Sequence, residues 1–464
     1  MIRLATFASV TLLLAACASV EPGREEAAEI AQSEVQDTPE YWEAAAARVG
    51  DVENGWIETF GDPVLTQLVE EAQANNRNLR SAAINVERSW LLARQAGAAL
   101  SPQVNLTAGG AGQGNFDGQS SDSLNVGVQA SWELDVWGRI QSGQQAAVES
   151  AEAAEADYRY AQLSVAAAVA RAYFATINAQ QQAQTSSDIV EALQETLRIV
   201  QVQFDNGIAT AQDVALARAN LASANDTFAT ASAARDNAAR ALEVLLGRYP
   251  SADLFVGSTL PTKPTDPPAG LPAELLERRP DLIAAERRIA AAIDTVDQSR
   301  AARLPSISLT GGVSGASNDL SNLLSPTNLA WQAASSLLVP LVDGGARQTQ
   351  VELSTADQRL AVEAYADAAL TAFSEVEQAL ADGQTLRRRT LFVETARVES
   401  DEALRLARLQ YQEGEIDLLS VLQLEQAAFS ARSNELTVAR LSLEQYVDLS
   451  LALGGDWRSA DVDR

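Results

Sequence analysis

The chain has no histidine and a single cysteine among its 464 residues. The first absence removes Ser-His-Asp chemistry, His-ligated zinc and a histidine pH switch. The second removes any intrachain disulfide and any cysteine-based metal site. Aromatic residues are scarce at 5% while alanine is abundant, a composition of long, closely packed helices rather than of a thick globular core. Cations are few as well. Against 62 Asp and Glu stand 34 Lys and Arg, a formal net charge of −28, the wrong sign for gripping nucleic acid. So many carboxylates pair closely by chance, so spacing alone argues no glycosidase-like pair. Neither Gly311-Gly312 nor Gly344-Gly345 is followed by Gly-Lys-Ser/Thr, so no Walker loop is present. The sequence therefore predicts no enzyme, no metal and no cofactor beyond a covalent lipid.

That lipid is predicted at the N-terminus. Met1-Ile2-Arg3 is a short positive start, and Leu4 to Leu14 is an apolar run too short for a membrane-spanning helix. It ends in Leu14-Ala15-Ala16-Cys17, which resembles a bacterial lipoprotein processing site. Residues 1–16 are thus expected to be a signal peptide and Cys17 the lipidated residue, with two or three acyl chains giving a stable anchor. Without residues 1–16, which carry one Arg, 33 basic residues face 62 acidic ones, a net charge of −29. Ala18 and Ser19 follow the cysteine, and the lack of Asp there favours the outer membrane. Residues 17–54 are expected to form a lipidated tether, extended over 18–40, and 458–464 a loose tail.

Shifted against itself by a little over two hundred residues, the chain repeats. Leu79, Gln95, Pro102, Leu106, Thr107 and Gly109 recur as Leu282, Gln298, Pro305, Leu309, Thr310 and Gly312, each 203 positions later. Leu134, Gly138, Leu197, Arg198, Gln203, Gly207, Leu246 and Gly247 recur as Leu341, Gly345, Leu404, Arg405, Gln410, Gly414, Leu453 and Gly454, each 207 later. A period this long is not a solenoid unit. It is a duplicated helix–strand–strand–helix module, predicted over residues 55–260 and 261–457.

The helices follow from what interrupts them. Residues 144–206 contain neither glycine nor proline, enough for a rod of about 95 Å. Gly207 interrupts, and a second clean run follows to Leu246. Residues 346–413 and 415–453 match, with Gly383 the only interior glycine, a candidate bend. After Gly207, Val214, Ala217, Leu221, Ala224, Phe228 and Ala231 keep heptad spacing, and Ala238, Leu242 and Leu245 resume it. Each copy therefore predicts an antiparallel helical hairpin, about 139–247 and 346–454, bent at Phe204-Asp205-Asn206-Gly207 and Tyr411-Gln412-Glu413-Gly414. Shorter leading helices are expected around Pro63–Ala99 and Leu271–Arg303.

Between the leading helices and the rods, apolar and small polar residues alternate. Strands are predicted at about 102–110, 123–136, 305–313 and 330–343, joined by Gly/Ser/Asn/Asp-rich loops at 109–123 and 312–328. Period two fits a half-buried soluble hairpin and a membrane barrel equally. Four strands are too few to close a barrel, and lipid forbids open edges. Membrane strands of this chain must be shared among several copies.

Several motifs carry a family likeness. They are Gly55-Trp56-Ile57-Glu58-Thr59-Phe60-Gly61-Asp62-Pro63-Val64-Leu65, Leu275-Leu276-Glu277-Arg278-Arg279-Pro280-Asp281-Leu282 and Ala285-Glu286-Arg287-Arg288. Trp132-Glu133-Leu134-Asp135-Val136-Trp137-Gly138-Arg139 and Ala452-Leu453-Gly454-Gly455-Asp456-Trp457 complete the set. Together they resemble the TolC-like outer-membrane efflux factor family, in its OprM/NodT-type lipoprotein branch. The resemblance implies a mainly α fold with a membrane β portion. A homotrimer would close a 12-stranded outer-membrane barrel above a long α-helical periplasmic tunnel. It implies a passive efflux channel served by a periplasmic adaptor protein and an inner-membrane pump of the RND type. An exit duct for ABC-driven polypeptide secretion is the variant within this class. A lipid-anchored scaffold without a pore is the rival outside it.

The resemblance also proposes sites. The hairpin bends correspond to the tips that meet the adaptor, here Gly207, Ile208 and Thr210 with Gly414, Glu415 and Ile416. The glycines have a simpler reading as backbone turns. Family channels narrow nearby through carboxylates or apolar residues, which points to Asp417 with Leu418 beside it. Ser420 and Gln423 stand where some relatives are acidic, leaving a reduced ring of one Asp417 per subunit. Asp417 has an equally good reading as a helix cap.

Overall fold

In the computed structural model, residues 22–34, 39, 41–44, 54–116 and 120–456 are described. Cys17, the signal peptide, Trp457 and the predicted tail 458–464 lie outside them. After α1 (Pro22–Glu34), the chain runs α2 (Pro63–Asn75), α3 (Arg77–Ala98), β1 (Gln103–Gly114), β2 (Ser120–Leu134), α4 (Arg139–Asp205) and α5 (Ala211–Leu245). The second copy is α6 (Pro272–Arg278), α7 (Pro280–Ala301), β3 (Ser306–Ser317), β4 (Leu329–Leu338), α8 (Ala346–Gln412) and α9 (Leu418–Ala452). The duplication holds to the residue in the three longer helix pairs: α4 and α8 each have 67 residues, α5 and α9 each 35, α3 and α7 each 22, whereas α2 has 13 and α6 only 7.

The chain divides into two compact units. One comprises Met1–Asp37, Ala83–Asp157 and Asp281–Ala368, the other Thr38–Ala82, Tyr158–Pro280 and Ala369–Arg464. Each draws on both copies.

The first unit holds the sheet, an antiparallel meander in the order β1-β2-β3-β4. The central pair joins the two copies, from Leu124 opposite Ser317 to Leu134 opposite Ile307. Several strand limits differ from the sequence expectation, among them that of β3, which runs on to Ser317 instead of ending near 313. Gly109 to Gly114, expected as loop, pair in the ladder with Asn125 to Ser120. Ladder hydrogen bonds are made by backbone groups, so a glycine-rich stretch joins them once a partner strand is beside it. At the other end β4 stops at Leu338 rather than at 343, two residues before Pro340, which has no N–H to donate. The expected extended tether is also corrected. Residues 22–34 form helix α1, whose Ala27 and Ala31 are buried against Ala285, Ile289, Ala290, Ile293 and Tyr365.

The second unit holds the main core, in which Trp56, Ile57, Phe60, Leu65, Tyr173, Phe174, Leu246 and Tyr446 are buried together. Phe60 sits 5.1 Å from Phe174 and 5.2 Å from Tyr446, ring centre to ring centre, in tilted and edge-on contacts that suit the ring quadrupoles. Asp62 starts α2: its Oδ1 accepts from the Val64 and Leu65 N–H groups at 2.9 and 3.2 Å, with Pro63 at the first helical position. The buried Tyr173 hydroxyl donates to Asp62 Oδ2 at 2.7 Å.

Each leading helix is broken, where the sequence reading had it continuous. The breaks fall at Asn76 and Arg279, equivalent positions in the two copies, and both side chains are buried. Asn76 Nδ2 donates to the Leu245 carbonyl at 2.8 Å, and Arg279 Nη1 donates to the Ala452 carbonyl at 3.2 Å. Leu245 and Ala452 are themselves equivalent, each the last residue of its return helix. The duplicated module thus repeats a tie between its leading and its last helix. Gly383 marks no break; α8 runs through it, and a Cβ there would lie 2.8 Å from Gln445 Nε2. The glycine permits a close approach of α9.

Candidate functional site

Two features stand apart from the core: the faces of the sheet and the tips of the hairpins. The register of the sheet sorts its side chains by period two. Leu106, Val128, Val313 and Trp331 lie opposite one another across all four strands. They are 74%, 46%, 52% and 80% exposed, an apolar row that nothing covers among the described residues. Thr107, Gly127 and Ser314 form the neighbouring row on the other face, with Gln129 and Gly312 next along. One face is oily and the other polar, and β1 and β4 leave unpaired edges within the sheet. Among the described residues no helix is long and apolar enough to cross a membrane, so any crossing by them falls to this sheet.

The tips repeat one backbone solution. Gly207 (φ +75°) and Gly414 (φ +78°) take the left-handed conformation that ends a helix. The Ile208 N–H donates to the Gln203 carbonyl at 2.8 Å, and the Glu415 N–H donates to the Gln410 carbonyl at 2.9 Å. Thr210 then caps α5 reciprocally: the Asp213 N–H donates to Thr210 Oγ1 at 3.2 Å, while the Thr210 N–H donates to Asp213 Oδ2 at 2.8 Å. In the second copy Asp417 occupies the equivalent cap, accepting from the Ser420 N–H at 2.9 Å. Ser420, through its hydroxyl first and its backbone N–H second, holds the Asp417 carboxyl below the usual carboxylate range. The cap role is real and leaves the carboxylate exposed.

The other sequence-derived positions divide. Ile208, Thr210 and Glu415 are exposed, Ile416 is half-buried, and both glycines lie open at the bends. Leu418 is a correction. It is 4% exposed, packed in a cluster with Val190, Leu193, Val200, Val214, Ala217 and Leu422, so it serves the hairpin core and is not free to line a constriction. The exposed neighbour is Leu419.

Sequence reasoning missed two features here. Tyr411 donates from its hydroxyl to Gln203 Oε1 at 2.8 Å and so joins the two hairpins near their tips. Burial, with the Asp213 charge adding to it, pushes the Tyr411 hydroxyl up. Phe204, its counterpart in the first copy, has no hydroxyl to offer. The second feature is a set of ion pairs between α8 and α9. Arg397 meets Glu435 at 2.9 Å, Arg432 meets Asp401 at 2.8 Å, and Arg408 meets the buried Glu425 at 2.8 Å. The first copy has Val190 and Phe228, then Gln194 and Asn225, then Gln201 and Arg218 at these places. Comparing copies position by position exposes that difference.

Among the described residues no cluster of three or more His, Cys, Asp or Glu is placed to hold a metal ion. The sheet presents an apolar face and the tips present exposed side chains.

Comparison with known proteins agrees with this geometry. The chain is 31% identical over 409 residues to the cation efflux system protein CusC of Escherichia coli, covering 87% of this chain and 88% of that protein. It is 30% identical over 441 residues to the pyoverdine export outer membrane protein OpmQ of Pseudomonas aeruginosa, covering 91% and 92%. The open-state crystal structure of the MtrE outer membrane channel of Neisseria gonorrhoeae superposes with a TM-score of 0.80 at 30% identity, over 91% of this chain and 96% of that one. The family model for outer membrane efflux proteins matches twice, over residues 68–248 and 271–455. The two matches follow the internal duplication, and the chain belongs to the outer membrane efflux protein family.

Proposed function

We propose that this chain is the outer-membrane channel of a tripartite efflux system, a passive duct for small molecules that binds no nucleotide and catalyses nothing. The observation that carries the reading is the four-stranded sheet, with its uncovered apolar row and its two unpaired edges. An apolar face of this kind is unstable in water and at home in lipid, but lipid also forbids an open edge. Three copies contribute twelve strands and close both edges into one barrel, apolar outside and polar within. Strands of 10 to 15 residues suit a span that needs about ten tilted residues.

In this reading Cys17 carries the lipid, and the exposed tip residues Ile208, Thr210 and Glu415 face a periplasmic adaptor that links the duct to an inner-membrane pump of the RND type. The relatives' names attach to different cargoes, a cation efflux system and pyoverdine export, so channels of this family serve more than one cargo class. Three exposed Asp417 carboxylates around one axis, in a processed chain of net charge −29, favour cations over anions.

The test is single-channel recording of purified protein in a planar bilayer. Discrete, cation-selective conductance is expected. A protein that inserts as a trimer and conducts nothing under any voltage defeats the channel reading in favour of a lipid-anchored scaffold.

A further inference from the structure

Glu149 is a carboxylate on α4 in the sheet-bearing unit, with a side chain 1% exposed. A buried carboxylate needs cations and donors around it or it destabilises its surroundings. Two of its partners come from the unit's framework: Gln145 Nε2 donates at 3.2 Å, and Arg287 of α7 approaches at 3.5 Å. The closest comes from α1, where Arg24 Nη2 donates to Glu149 Oε1 at 2.9 Å. The same guanidinium pairs with Glu152. Arg287 is already divided, lying 3.8 Å from Glu152 and 3.8 Å from Glu286. Without α1, one guanidinium would face three carboxylates.

The rest of α1 is shaped for the same contact. Ala27 and Ala31, one turn apart, are buried against Ala285, Ile289, Ala290 and Ile293 of α7 and Tyr365 of α8, while Glu25, Glu26, Ala28 and Glu29 face solvent. Small residues allow close approach, and the polar face keeps the segment soluble when undocked. Pro22, where α1 begins, is five residues after Cys17. Five residues reach at most about 17 Å.

We infer that α1 is a docking strap: by supplying Arg24 to the buried Glu149 it locks the anchored N-terminus onto the unit that carries the sheet. The anchor part rests on the reading of Cys17 as lipidated; the docking part does not. Glu149 lies ten residues into α4, which follows directly from β2, so the strap acts on the helix that continues a membrane strand. Anchor and sheet are thereby held in one register, and the lipid on Cys17 sets the depth at which the strands enter the bilayer.

The test uses the full-length protein in detergent-solubilised outer membranes, with one cysteine added to each variant and its labelling by a maleimide followed on the peptide that covers α1, apart from Cys17. Ala27→Cys reads the docked face, and Glu26→Cys is the exposed control. Ala27→Cys is expected to label roughly tenfold slower or more than the control, since labelling requires local opening of α1. Adding Arg24→Ala should bring it close to the control rate. Glu149→Gln on top of Arg24→Ala should recover part of the protection, because a neutral amide no longer demands a cation. That recovery would not follow if Arg24 merely filled space. Should Ala27→Cys fail to accumulate, Ala31→Cys reads the same face. Labelling of the buried position at the control rate in the otherwise native chain overturns the strap, and protection unchanged by Arg24→Ala overturns the role of the ion cluster. Intact mass reports Cys17 separately: an unmodified Cys17 with α1 still protected keeps the strap and removes its anchor.

Discussion

Asn76→Ala tests the repeated tie that the duplication built. Asn76 Oδ1 accepts from the Asn78 and Leu79 N–H groups at 2.9 and 3.2 Å, and so caps α3. Its Nδ2 donates to the Leu245 carbonyl at 2.8 Å. Alanine removes both. Loss of an N-cap costs about 1 kcal/mol, and leaving the half-buried Leu245 carbonyl without this donor about 1–3 kcal/mol. The local opening free energy should therefore fall by about 2–4 kcal/mol, which speeds exchange roughly 30- to 700-fold where opening limits it. Hydrogen exchange with mass spectrometry on peptides covering 76–82 and 243–247 reads this in assembled protein, without global unfolding. Asn75→Ala is the control, an exposed neighbour expected to stay within about 0.5 kcal/mol of the native chain. A change below about threefold in both peptides at Asn76→Ala would refute the tie, because even the cap alone predicts more.

Gly247→Ala should cost more than Gly207→Ala although both residues have φ +75°. At Gly207 nothing lies within 4 Å, so only left-handed strain of about 1–2 kcal/mol applies; at Gly247 the new Cβ meets the Asn75 carbonyl at 2.7 Å, and equal exchange at the two helix ends would sink the distinction. Asp417→Asn keeps the cap on α9 and removes the charge, whereas Asp417→Ala removes both. If the carboxylate sets ion preference, reversal potentials shift equally in the two variants; a shift in Asp417→Ala alone assigns Asp417 to capping. On the sheet, Val128→Arg should block insertion, at about 2–4 kcal/mol per copy near the bilayer centre, while Gln129→Arg on the polar face should insert and change selectivity. Equal yields of both in the outer membrane would contradict the assignment of faces.

The long helices were legible because glycine and proline act locally. The Gly/Pro-free runs became α4, α5, α8 and α9, and Gly207 and Gly414 became left-handed bends. The heptad stripe of α5 was legible for the same reason, with Val214, Ala217 and Ala224 buried as spaced. The break at Arg279 was announced by Pro280, which disfavours helix in the residue before it. The one at Asn76 had only the weaker signal of an Asn cap. Other features were not local. The glycines at 109–114 carry no side-chain pattern, and only the partner strand made them β. In α1, the acidic and alanine-rich composition read as a tether until α7 and α8 supplied a surface for Ala27 and Ala31.

At the candidate gate the two levels part. The sequence alone determined that a short acidic segment follows Gly414, because a cap and a bend need only a few neighbouring residues. It also determined the duplication, the alternation of the strands and the excess of negative charge. Tertiary structure decided that Leu418 points into the hairpin core while Asp417 stays exposed, since burial depends on Val190 and Val200, more than two hundred residues away. It also decided that β2 pairs with β3, joining the copies across about 170 residues, and that one apolar row runs unbroken over four strands. Periodicity assigns a residue to one side of its own element; which side meets protein, water or lipid is set by segments that arrive from elsewhere in the chain.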